Sequence, residues 1–144
     1  MPRTTHRVDD LTISVPADPA MIHGVRDRFA AWLEAWLGRA DLHYDLLVVL
    51  SELLANGIAA APDDDAEAEL SVRAYRTGDD VVLEVSNPVA PWVDAATRWD
   101  LHDPLRAGGR GLLIVRALVD DVEVVQDLVD RQTTLRCRRS VRSG

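Results

Sequence analysis

Apolar and polar residues alternate over Leu11-Thr12-Ile13-Ser14-Val15, which predicts a strand with one buried face, ended by Pro16. Asp18-Pro19 reads as a helix start, a capping side chain followed by proline in the first turn. Val25, Phe29, Leu33 and Trp36 then recur at helical spacing, so a helix is expected to about Leu37, with Gly38 as its stop. Asp41 is expected to cap a second helix with a buried stripe of Leu42, Leu46, Val49, Leu50 and Leu53, ending near Ala61-Pro62. Asp63 to Glu67 is an acidic turn, since a calcium loop would need a longer spaced ligand series. Leu70 to Tyr75 and Val81 to Val85 alternate again around Thr77-Gly78-Asp79-Asp80, which predicts a hairpin whose second strand stops at Asn87-Pro88.

Ala90 to Gly109 shows no period, and a loop of that length in a compact domain is usually functional or mobile. Leu112 to Val119 reads as a third helix. Val122 to Val125 and Thr133 to Cys137 read as two strands joined by a turn at Asp127 to Arg131, and Arg138 to Arg142 as a frayed basic tail. Hairpin strands separated by helices argue an α+β chain, a two-layer α/β sandwich with a mostly antiparallel sheet and its helices on one face.

Composition narrows the function. The chain has 144 residues, enough for one domain with a core. Its formal net charge of −8 disfavours direct contact with nucleic acid or anionic membrane and favours a basic protein partner. Cys137 is the only cysteine, so no intrachain disulfide or cysteine zinc cluster can form. The start is not an apolar signal region, and no run of eighteen apolar residues occurs; the expectation is a cytoplasmic protein. No histidines stand at metal-ligand spacing, and Ser51 lacks the glycine context of a hydrolase nucleophile.

Two segments carry the candidate chemistry. Glu52-Leu53-Leu54-Ala55-Asn56 puts a carboxylate and a carboxamide on one helix face, four residues apart. Gly109-Arg110-Gly111-Leu112 opens an apolar helix, and the free N–H groups of a helix start suit a phosphate. Each has a plain reading too. Glu52 and Asn56 suit the wet face of an amphipathic helix, Gly109 and Gly111 a flexible turn, and Asn87-Pro88 a strand terminator.

Taken in order, these residues resemble the GHKL ATPases, the group of gyrase, MutL and the histidine kinases. Within that group Ser51-Glu52-Leu53-Leu54-Ala55-Asn56-Gly57-Ile58 is most similar to the anti-sigma factor serine/threonine kinases of bacterial partner-switching systems. The resemblance covers about Leu11 to Cys137 of a single domain. It implies a general base at Glu52, Mg²⁺ binding at Asn56, adenine recognition at Asn87 and phosphate binding at Gly109, Arg110, Gly111 and Leu112, under a lid. The chain departs from the family at two places: Asn87-Pro88-Val89-Ala90-Pro91 stands where Asp-x-Gly-x-Gly is usual, and Ala60 stands where a basic or histidine residue often follows the helix asparagine by one turn. An asparagine still accepts through its carbonyl and could donate through its amide. The missing glycines would allow less close approach of the backbone to a base.

The resemblance implies a regulator that binds ATP and Mg²⁺, sequesters a sigma factor and phosphorylates a serine or threonine of a STAS-type anti-anti-sigma protein. It also implies a homodimer through Leu11 to Leu37. The alternatives are a protein-binding module with a degenerate nucleotide site and no kinase activity, or a detached ATPase module of a sensor kinase system.

Overall fold

The computed structural model describes residues 9–61, 67–88, 110–127 and 129–141. Chain order is β1 (Leu11–Pro16), a short tight helical turn (Pro19–Met21), α1 (Ile22–Glu34), α2 (Ala40–Ala60), β2 (Glu69–Thr77), β3 (Asp80–Pro88), α3 (Arg110–Leu118), β4 (Asp121–Asp127) and β5 (Gln132–Ser140). The five strands form one antiparallel sheet in the order β1-β2-β3-β5-β4. The expected fold, an α/β sandwich with helices on one face, is the one found.

Strand alternation sets the two faces. Ile13, Leu70, Val72, Ala74, Val81, Leu83, Val85, Leu135 and Cys137 point inward. There they meet Val25, Phe29 and Leu33 of α1, the Leu46, Leu50 and Leu53 stripe of α2, and Leu112 and Val115 of α3. By length and apolarity α2 would suffice to cross a bilayer. In this fold its apolar stripe faces the sheet. Gly57 lets it lie close: a methyl there would sit 3.1 Å from Leu70 Cδ2 and 3.6 Å from Val85 Cγ1. The β2–β3 hairpin turns on Gly78-Asp79, and Gly78 takes φ +59°, a left-handed conformation that selects glycine.

Several local expectations need correction. Asp18 does cap, accepting the Ala20 N–H at 2.9 Å, but it caps the tight turn, and α1 begins at Ile22. The helix also ends earlier, at Glu34; Trp36 and Leu37 N–H both reach Leu33 O, and Gly38 is not left-handed. Asp41 is not the cap of α2, which starts one residue sooner after Arg39. Asp41 instead pairs with Arg39 at 2.9 Å, which holds its carboxyl below the usual range. His43 is half-buried, its Nε2 donating to Leu37 O. The basic tail is ordered strand through Ser140, and Val141 is buried with its N–H on Asp79 O at 2.8 Å. The acidic turn at 62–66 and the long loop at 89–109, with Gly109, lie outside the described residues.

Candidate functional site

The two segments singled out in the sequence meet. Glu52 and Asn56 lie one turn apart on α2, and the first turn of α3 packs directly on them. A methyl at Gly111 would lie 2.5 Å from Glu52 Oε2 and 3.9 Å from Asn56 Nδ2. A side chain there would have to displace the Glu52 carboxylate, so Gly111 leaves that carboxylate its present place against the first turn of α3. The side chain of Leu112 is fully buried in the core, so what it can offer a ligand is its backbone N–H. With Gly111 it belongs to the first turn of a helix, whose N–H groups have no intrahelical acceptor.

The floor of the site is the inner face of β3 and β5. Asn87 is wholly buried and pairs in register with Thr133, which is 1% exposed. Asn87 Nδ2 donates to Pro88 O at 3.2 Å. That bond uses one of the two amide hydrogens, and Oδ1 has no partner at all. Asn87 Oδ1, Thr133 Oγ1 and Asn56 Nδ2 are all buried without a hydrogen-bond partner. Leaving a buried polar atom unpaired costs about 1–3 kcal/mol, so each calls for a ligand's polar atom or water, and Asn87 and Thr133 stand opposite each other as a pair. Two other orphaned nitrogens, Arg26 Nε and Trp36 Nε1, belong to α1 and the turn after it, which contribute nothing to this site.

Thr133 was missed in the sequence. A signal was there: Thr133, Leu135 and Cys137 share one face of a strand, so Thr133 is a hydroxyl in an otherwise apolar row. The other candidates are quiet. Ser51 Oγ donates to Leu47 O at 2.9 Å, and burial pushes the Cys137 thiol up to about 12, away from nucleophilic use. Among the described residues no three His, Cys, Asp or Glu side chains cluster as a metal cage. A Mg²⁺ is commonly held by one or two protein oxygens together with phosphates and water, and the Asn56 carboxamide has one oxygen to offer. The donor set also fits a nucleotide: a carboxamide beside a helix start for metal and phosphates, and a buried acceptor and hydroxyl for a base edge.

The histidine kinase-like ATPase domain family matches residues 15–139, and the chain belongs to it. No curated protein matches. Among solved structures, the RsbU and RsbW domains of Rv1364c from Mycobacterium tuberculosis superpose with a TM-score of 0.66 at 19% identity, over 92% of this chain and 32% of that one. The chain thus spans about a third of that protein's structure (32%). The SiaB–SiaC complex from Pseudomonas aeruginosa gives a TM-score of 0.61 at 18% identity, covering 90% of this chain and 88% of that one. The catalytic domain of histidine kinase ThkA gives 0.55 at 15%, covering 90% and 95%. At these identities the three structures share the fold.

Proposed function

We propose that this chain is a partner-switching regulator that binds Mg-ATP and phosphorylates a serine or threonine of a STAS-type anti-anti-sigma protein, and that it sequesters a sigma factor. The observation that carries the reading is the contact of Gly111, in the first turn of α3, with Glu52 and Asn56 of α2. Bound Mg-ATP would supply the phosphoryl group. Glu52 would accept the proton of the incoming hydroxyl. Asn56 would hold the metal, and the backbone N–H groups of Gly111 and Leu112 would face the phosphates. Asn87 Oδ1 would accept from the adenine amino group, and Thr133 Oγ would complete that edge.

The partners are read from chemistry and family together. A chain of net charge −8 would be steered toward a basic partner such as a DNA-binding sigma fragment, and that association should slow as salt rises. Among the described residues β1 is an edge strand, whose outer row of backbone groups would serve a homodimer through Leu11 to Leu37. A cytoplasmic location follows from such partners. Glu52→Gln should lower phosphoryl transfer about 100-fold or more while the fold and nucleotide affinity persist. Unchanged transfer would remove Glu52 from the reaction.

A second reading has its own observation. One hydrogen of the Asn87 amide is engaged by Pro88 O, and no charged aspartate stands at that position. A protein-binding module with a degenerate site would share this geometry. Calorimetry decides between the two: heat from ATP with Mg²⁺ supports the kinase, and none at millimolar nucleotide leaves the module.

A further inference from the structure

Arginine is an odd choice for the inward row of β5. The row runs Thr133, Leu135, Cys137, Arg139, and its last member faces the helices with the core residues. Arg139 is used there by two elements. Its Nη1 donates to Leu118 O, the last carbonyl of α3, at 2.8 Å. Its Nη2 lies 4.0 Å from Asp45 Oδ2 near the start of α2. The last carbonyls of a helix have no intrahelical donor, and that end of the dipole favours a cation. Two further bonds tie the segment just after α3 to the same strand: Asp120 N–H donates to Arg138 O at 2.8 Å, and Ser140 N–H to Asp120 Oδ2 at 2.6 Å.

So α3 is fixed at its C-terminal end, while its other end supplies Gly111. The helix has nine residues, and Leu118 lies about 10 Å from Gly111 along its axis. A tilt of about 6° at Leu118 would carry Gly111 about 1 Å, and a misplacement of that size is enough to spoil a reacting geometry. We propose that Arg139 is a positioning residue: by joining the end of α3 to Asp45 of α2, it sets how closely Gly111 approaches Glu52 and Asn56. The inference rests on the nucleotide site proposed above, but the geometric part stands without a ligand.

The test uses the full chain with Arg139→Ala, Arg139→Lys and, as a neighbour on the outward face, Arg138→Ala. The unliganded proteins are compared by amide NMR, then titrated with Mg-ATP by calorimetry. Arg139→Ala should shift the backbone amides of Gly111, Glu52 and Asn56 and weaken nucleotide binding about tenfold. Arg139→Lys, which keeps one donor for Leu118 O, should restore most of both, and Arg138→Ala should move neither. Combining Arg139→Ala with Gly111→Ala should lose less than the product of the single losses, because both disturb one contact. A lowered melting temperature with the Gly111 amide and the affinity unmoved would overturn the proposal and leave Arg139 a structural residue. If the unaltered protein binds no nucleotide, that reading fails by itself, and the Gly111 amide alone decides this one.

Discussion

The two faces of the sheet treat buried polar groups in opposite ways. On the helix-free face one row runs in register across four strands: Arg73 on β2, Glu84 on β3, Arg136 on β5 and Glu123 on β4. Each charge meets the next, at 3.7, 3.0 and 2.8 Å, and Asp10 closes the row on Arg73 at 2.9 Å. Glu84 is only 7% exposed, yet it lies between two guanidinium groups, and Glu123 and Glu84 together raise the pKa of Arg136. The helix-covered face is mostly apolar; Arg139 at its end is engaged by Leu118 O and Asp45, while Asn87 and Thr133, and Asn56 on α2, each leave a buried atom unpaired. A row closed on itself has nothing left for a ligand. A face with three orphaned atoms beside a helix start does, and that difference assigns stability to one face and binding to the other.

Breaking the binding face where it is tightest should have the largest effect. Gly111→Val drives a branched side chain into Glu52, and nucleotide affinity should fall about 100-fold or more with the far-ultraviolet circular dichroism unchanged. An equal affinity would mean that the α2–α3 contact is no part of the site. The stability face should answer differently. Glu84→Ala leaves Arg136 and Arg73 without their shared carboxylate and should cost about 3 kcal/mol in urea unfolding, while nucleotide binding stays the same. A loss of binding larger than the loss of stability would erase the distinction between the faces.

A subtler substitution sharpens it. Thr133→Val removes an orphaned hydroxyl, so stability should hold or rise by up to about 1 kcal/mol, while nucleotide affinity drops about tenfold. A fall in both would show that the hydroxyl is satisfied in the unliganded protein. The smallest effect belongs to neither face. Asp127 Oδ1 accepts the N–H groups of Val129 at 2.9 Å and Asp130 at 3.1 Å, which hold its carboxyl below the ordinary value of 3.8. A lowered folded pKa stabilises where the group is ionised, above that ordinary value, and the contribution is lost as pH falls through the folded one. Asp127→Ala should therefore lower the melting temperature slightly at neutral pH and leave it unchanged at acid pH, which flattens the acid limb.

Much of this was legible in the sequence because it is local. The spacing of Glu52 and Asn56 put them on one helix face, and Gly111 opened a helix as expected. What escaped depends on pairing between distant strands. Thr133 becomes a site residue only because β5 crosses back beside β3 and sets it opposite Asn87. Arg73, Glu84, Arg136 and Glu123 each read as an ordinary solvated charge, and only the register stacks them into a row. Arg139 was taken for part of a frayed tail, since nothing nearby in sequence announces the end of α3 as its acceptor.

The most direct measurement is a Mg-ATP titration of isotope-labelled protein, followed at the side-chain amides of Asn56 and Asn87 and the backbone amide of Gly111. The account predicts that all three shift together and saturate with one dissociation constant, while Arg73, Glu84 and Arg136 on the opposite face stay still. No shift at millimolar nucleotide, or shifts that gather on the charged face instead, would contradict it.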